Sequence, residues 1–191
     1  MAFPGLPPKR AKPPLKRKLA THIESPRVSM QHERLIGRVV VVWSKIEAAL
    51  DNIIWELASV DMAIGRYLTR QFGAEAKIKV TKVIAGNVLI EQEYKNLELI
   101  LNSVSNCQED RNFIMHAAWG TQNFGAFTTA PVGLSTRSKS DHPDRVVGES
   151  FSSERMHQII NDGIACLRAL IAFLDALETS PDRFRRPPDP D

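Results

Sequence analysis

Residues 91–118, EQEYKNLELILNSVSNCQEDRNFIMHAA, decide the fold because their apolar side chains recur every three or four positions. That spacing places them along one side of an α-helix. The members of this apolar seam are Leu97, Ile100, Val104, Cys107, Arg111, Ile114 and Ala118. A single cation, Arg111, therefore interrupts an otherwise apolar helix face.

The same helical spacing recurs on both sides of this segment, so the sequence predicts an all-α fold. Residues 25–58 form the first long helix and residues 153–178 form the last one. Two shorter helices are expected over residues 61–72 and 74–85, and Asp61 is a favourable N-terminal cap for the first of them. These helices account for most of the central part of the chain.

The first helix carries two apolar stripes. One contains Leu35, Val39, Val42, Ile46, Leu50, Ile53 and Leu57, and the other contains Ile36, Val40, Trp43 and Ile54. A helix that is apolar on two sides is typical of the middle of a bundle or of a bundle that dimerises. Glu47 interrupts the second stripe, and a buried acid needs a partner. Arg111 is the expected partner, and simple surface exposure of Glu47 is the alternative.

Composition and length indicate one globular domain with two tails. The chain has 191 residues, of which 43% are hydrophobic and 25% charged, as in ordinary globular proteins. Residues 1–24 form a basic, proline-rich arm that is expected to be flexible, and residues 180–191 form a charged, proline-rich tail. The helical domain covers residues 25–179. Within it, glycine, proline and short alternating runs predict a small β-hairpin-like insertion at about 121–150, before the last helix.

The arm holds the excess positive charge of the chain. Its first 18 residues contain six cations and no acid, so the formal net charge of +3 becomes −3 for the remainder. The cations are Lys9, Arg10, Lys12, Lys16, Arg17 and Lys18. Such an arm fits contact with RNA phosphates, and it equally fits a segment that only improves solubility.

Several functional classes lack their sequence signals. The N-terminus has no apolar core of a secretory signal, and the longest aliphatic run is too short to span a bilayer, so a cytoplasmic location without membrane contact is expected. Cys107 and Cys166 are expected as buried thiols. His142 and His157 lack a second ligand at metal-binding spacing, and no phosphate loop or dinucleotide fingerprint occurs. We expect no metal and no cofactor.

A polar line runs along the 91–118 helix beside its apolar seam. It contains Glu98, Asn102, Ser105, Glu109, Asn112 and His116. On an ideal helix Arg111 and His116 lie about 140° apart around the axis and about 7.5 Å apart along it, a separation that a long guanidinium side chain can bridge. An imidazole with a pKa of about 6.5 can move a proton, and a guanidinium can bind phosphate oxygens with two donors. Arg111, Asn112 and His116 therefore suit attack on a phosphodiester.

A purely structural interpretation of the same residues stays open. Arg111 would then pair with a buried acid such as Glu47, and His116 would be favoured in the last helical turn by the helix dipole. Trp119 is most simply a core anchor, and its place beside these residues also suits stacking on a base. Spacing and residue types alone do not separate these interpretations.

The stretch RNFIMH at 111–116, followed by AAWG at 117–120, resembles the R-x4-H signature of HEPN domains. The resemblance implies an up-and-down helical bundle in which the motif ends the penultimate helix. It also implies a metal-independent endoribonuclease that cleaves RNA by 2′-OH attack. The catalytic residues would be Arg111, Asn112 and His116, and Glu47 would be an accompanying acid. Ala117 departs from the glycine that is frequent in the family.

The resemblance further implies a homodimer, because two such motifs commonly meet to form one composite site. A toxin or defence effector is the biological role that it suggests, with an antitoxin or another protein as a possible partner. Some members bind without cutting, so the alternative is a non-catalytic HEPN-like dimer that binds RNA or a protein.

Overall fold

The computed structural model describes residues 28–123, 129–135, 147–179 and 184. These residues are mostly helical. In chain order the elements are α1 (Met30–Ala58), α2 (Met62–Thr69), α3 (Ala74–Val88), α4 (Glu91–His116), β1 (Ala118–Asn123), β2 (Thr129–Ser135), β3 (Val147–Ser150) and α5 (Ser153–Thr179). Every helix in these ranges is either too short or too polar to cross a membrane.

The predicted helices are confirmed, with shifted ends. Helix α1 starts at Met30 and not at residue 25, because Ser29 caps it: its hydroxyl accepts a hydrogen bond from the His32 backbone N–H at 3.3 Å. Helix α4 ends at His116 and not at residue 118, because the backbone from Ala118 onwards pairs as a strand. The Asp61 cap is confirmed by hydrogen bonds from the backbone N–H groups of residues 63 and 64.

The contacts divide the chain into two compact units, and the boundaries fall within α1, α4 and α5. Among the described residues, unit 1 comprises 42–108, 162–179 and 184, and unit 2 comprises the described parts of 28–41 and 109–161. The main apolar cluster lies in unit 1 and draws on all three long helices and on α3. Its fully buried side chains include Ile46, Leu50, Ile53, Leu97, Ile100, Leu101, Val104, Leu170, Phe173 and Leu177.

Helix α2, in unit 1, packs through its smallest side chains. Gly65 and Thr69 are its only buried residues, and the Trp55 indole N–H donates a hydrogen bond to the Thr69 hydroxyl at 3.3 Å. A Cβ on Gly65 would lie 2.5 Å from the Trp55 ring. The apolar side chains of this segment therefore point to solvent: Met62, Ile64, Tyr67, Leu68 and Phe72 are all exposed.

Unit 2 contains the segment for which a hairpin was expected. Its described parts form an antiparallel sheet of order β1-β2-β3, with Ala118 opposite Leu134 and Val132 opposite Ser150. The apolar side chains buried in this unit are Leu35, Val39, Ile114, Phe151, Met156, Ile159 and Ile160.

The close approach of Gly65 to Trp55 generates a stability prediction. We expect Gly65→Ala to lower the free energy of unfolding, because forcing a methyl group into a filled space costs about 1–3 kcal/mol, and a 2.5 Å contact belongs at the upper end. The gain in helix propensity offsets only about 1 kcal/mol of this. Urea denaturation of the purified variant measures the difference.

Gly37→Ala is the matched control, because Gly37 is also helical and a Cβ there would meet nothing within 4 Å. This variant should be unchanged or more stable by up to about 1 kcal/mol. Equal effects at the two glycines would contradict the packing described for α2.

Candidate functional site

The last turns of α4 position the residues that the sequence singled out. Arg111, Asn112 and His116 all lie in unit 2, and α4 stays helical through His116. The Arg111 side chain is half-buried, and its Nη1 donates a hydrogen bond to Asn112 Oδ1 at 2.9 Å. The Nε atom of Arg111 is buried. Asn112 therefore orients the guanidinium of its neighbour, and its direct role in catalysis stays a prediction.

His116 is the final residue of α4 and its side chain is exposed. The C-terminal end of a helix carries partial negative charge, which favours a cation there. An imidazole in this place is accessible to a ligand. Because α4 is regular here, Arg111 and His116 keep the separation of about 7.5 Å along the axis that five helical residues give.

An ion pair lies beside Arg111. Nη2 of Arg155 donates to both carboxylate oxygens of Asp110, each at 3.0 Å. The two side chains are 35% and 28% exposed, so solvent screens the pair only partly. Neither residue was predicted for the site. They are 45 positions apart in the sequence, so no spacing pattern could have predicted the contact.

Helix α5 begins with a polar cap that presents Arg155. The Ser152 hydroxyl accepts a hydrogen bond from the Arg155 backbone N–H at 3.2 Å, which fixes the first turn. Hydrogen bonds from the backbone N–H of Glu154 and from the Ser152 hydroxyl hold the pKa of the Glu154 carboxyl below its usual range, and the nearby His157 and His32 act in the same direction. The carboxylate of Glu154 therefore keeps its negative charge at the N-terminal end of α5, which carries partial positive charge.

Phe151 is the centre of an aromatic cluster that also contains Phe113 and Trp119. Its ring centroid lies 5.4 Å from that of Phe113 and 5.4 Å from that of Trp119. The Trp119 indole N–H donates to the backbone oxygen of Ile114 at 2.9 Å, so this polar atom is engaged within the protein. The Nε2 atom of the His32 imidazole lies 3.2 Å from the Phe151 backbone oxygen, within hydrogen-bond distance. The cluster fixes the chain on both sides of His116; base stacking by Trp119 stays a prediction.

The remaining predicted site residues are Glu47 and the six cations of the arm. Glu47 belongs to unit 1, where it is half-buried and its Oε1 accepts a hydrogen bond from the Trp43 indole at 2.7 Å. Its pairing with Arg111 stays a prediction. The six cations of the arm and His142 lie outside the described residues. Among the side chains that are described, no three or more His, Cys, Asp or Glu residues are grouped so that they could hold a metal ion.

Comparison of the chain with known protein families, with curated proteins and with solved structures finds no match.

Proposed function

We propose that the chain is a metal-independent endoribonuclease, with Arg111 and His116 as its catalytic residues. The observation that carries the proposal is the placing of an oriented guanidinium and an exposed imidazole within the last six residues of one helix. The resemblance of residues 111–116 to the HEPN motif supports the same conclusion. A toxin or defence effector is the role that the resemblance suggests.

Cleavage would proceed by attack of a ribose 2′-OH on the adjacent phosphorus. The P–O bond to the 2′ oxygen forms while the bond to the 5′ oxygen of the next nucleotide breaks, which leaves a 2′,3′-cyclic phosphate and a 5′-OH. One base must remove the 2′-OH proton and one acid must protonate the departing 5′ oxygen. His116 suits either transfer, and the two motifs of a homodimer would supply both imidazoles.

Arg111 would bind the phosphate oxygens and stabilise the charge that develops on them. The hydrogen bond to Asn112 limits the guanidinium to few orientations, which lowers the entropic cost of binding phosphate. The carboxylate of Asp110, the residue before Arg111, would repel a phosphate if no cation balanced its charge. The ion pair with Arg155 offsets this charge, so we assign Arg155 a positioning and electrostatic role.

The exposed face of α2 supports self-association, which both the catalytic and the non-catalytic hypotheses need. Residues 62–73 contain Met62, Tyr67, Phe72, Arg66 and Arg70 but no Lys, Asp or Glu. This composition is typical of protein interfaces. The Arg70 guanidinium lies 5.2 Å from the Tyr67 ring centroid, a cation–π contact that shields one of the two positive charges.

The second candidate function is the same dimer acting as a binding protein that does not cut, with RNA or a protein such as an antitoxin as its ligand. The Arg111 guanidinium, held by Asn112, can bind a phosphate without any proton transfer, which supports RNA as the ligand of this alternative. The two functions are separated by whether RNA is cleaved and whether cleavage depends on His116.

The first prediction from this proposal concerns His116. We expect His116→Ala to lower the rate of RNA cleavage by about 10²–10⁴-fold, because a general acid or base is lost. The rate is measured with labelled RNA and purified protein, and the products should end in a 2′,3′-cyclic phosphate. Arg111→Lys should also impair cleavage, since lysine keeps the charge but not the planar pair of donors.

His157→Ala provides the matched control, because His157 is another exposed histidine of unit 2 that lies outside the motif. Its cleavage rate should equal that of the wild type, and EDTA should leave the wild-type rate unchanged. Cleavage that persists in purified His116→Ala, or that EDTA abolishes, would remove the proposed mechanism. Binding of RNA without any cleavage would favour the second candidate.

The second prediction concerns α2. Light scattering should give the wild type a mass of roughly twice 21.4 kDa, and the double variant Tyr67→Glu, Leu68→Glu should shift it to the monomer because it puts charge into the apolar face. Leu99→Glu is the control, since Leu99 is similarly exposed but lies on α4. A dimer that survives the double variant at micromolar concentration would exclude α2 as the interface.

A further inference from the structure

Two thiols touch within unit 1. The chain has two cysteines, and Sγ of Cys107 in α4 lies 3.7 Å from Sγ of Cys166 in α5. Cys166 is fully buried and Cys107 is half-buried. The burial of Cys166 agrees with the expectation from sequence, whereas Cys107 is less buried than expected. The approach of the two sulfurs was not anticipated, because the cysteines are 59 positions apart in the sequence.

Packing of the core does not by itself require the two sulfur atoms to be in contact. A cysteine fills space in a core as a small apolar side chain, and any neighbouring methyl group would satisfy it. Here each sulfur instead has another sulfur within van der Waals distance. A disulfide requires an S–S distance of about 2.05 Å, so the sulfurs must approach by about 1.7 Å. Rotation about the Cα–Cβ bonds is the side-chain movement that changes this distance.

We propose that Cys107 and Cys166 are a redox pair that forms a reversible intramolecular disulfide with an oxidant of the peroxide class. The half-buried Cys107 thiol loses its proton and its thiolate attacks one oxygen of the peroxide; the O–O bond breaks, a sulfenic acid forms, and the hydroxide that leaves takes up the thiol proton and becomes water. The Cys166 thiol likewise loses its proton, its thiolate attacks Sγ of Cys107, and the displaced hydroxide takes up that proton as a second water. In total two thiols and one hydrogen peroxide give one disulfide and two waters.

The disulfide would join α4 covalently to α5. It closes a loop of 59 residues in the chain, which restricts the unfolded state and so raises stability. Cys107 lies four residues before Arg111 in the same helix, so oxidation would constrain the element that carries the proposed catalytic motif. The chemistry of the pair does not depend on whether the protein cleaves RNA.

The test uses the full chain, first reduced with dithiothreitol and then treated with an equimolar amount of hydrogen peroxide. We expect intact mass to fall by about 2 Da, the loss of two hydrogens, and both thiols to become unreactive towards an alkylating reagent in denaturant. Non-reducing electrophoresis should show a single monomeric band. Dithiothreitol should restore both thiols.

Oxidised wild type should melt on the order of 5–15 °C above reduced wild type. Cys107→Ser is the control, because it removes the accessible thiol and leaves Cys166 in place; peroxide should change neither its melting temperature nor its remaining thiol. The wild-type mass is decisive even if this variant folds poorly. Two thiols that stay alkylatable after peroxide, a sulfinic acid on Cys107 without a disulfide, or a covalent dimer would each overturn the proposal.

Discussion

Burial of one side of α4 is the constraint on which the rest of the structure depends. Leu97, Ile100, Leu101 and Val104 are completely inaccessible to solvent, and each such side chain contributes about 1.5–3 kcal/mol by leaving water. Helices α1, α3 and α5 supply most of the apolar partners of this cluster in unit 1. The same helix continues without interruption to His116, so the packing that fixes its first turns also fixes the helical geometry of the motif at its end.

Helix positions were predictable because apolar periodicity is a local property of the sequence. The period identified α1, α4 and α5, and the residue type of Asp61 identified the cap of α2. Ser25 and Ser29 are equally good caps in type, however, and the start of α1 was placed too early. The orientation of α2 depends on the space beside Trp55, which admits only a glycine at position 65, and no periodicity reports on that space.

The polar contacts were the least predictable features. Lys77 and Asp51 form a 2.7 Å ion pair in which Lys77 is nearly inaccessible, although a lysine and an aspartate suggest surface positions. Asp110 and Arg155 meet in the same way across a long stretch of sequence. The motif itself was found from the sequence because its members lie within six residues of one helix. The charged neighbours of the motif were not predicted from the sequence, because their positions depend on tertiary contacts.

The proposed chemistry assigns different tasks to side chains with different freedom. Arg111 is half-buried and held by Asn112, as expected of a group that must meet phosphate in one orientation. His116 is exposed at the helix end, as expected of a group that must exchange protons. Phe113, Trp119 and Phe151 pack together, and the indole N–H of Trp119 is engaged within the protein. This division leaves the imidazole as the accessible member of the site.

The most direct test follows the nuclear magnetic resonance signals of the Arg111 guanidinium and the His116 imidazole during titration with RNA. The ligand is a short 2′-O-methyl oligoribonucleotide, which retains the phosphates but lacks the attacking hydroxyl. If one phosphate is bound by both side chains, the signals of both groups shift together and saturate at the same oligonucleotide concentration. Binding that saturates while both signals stay unmoved would contradict the proposal that Arg111 and His116 form the ribonuclease site.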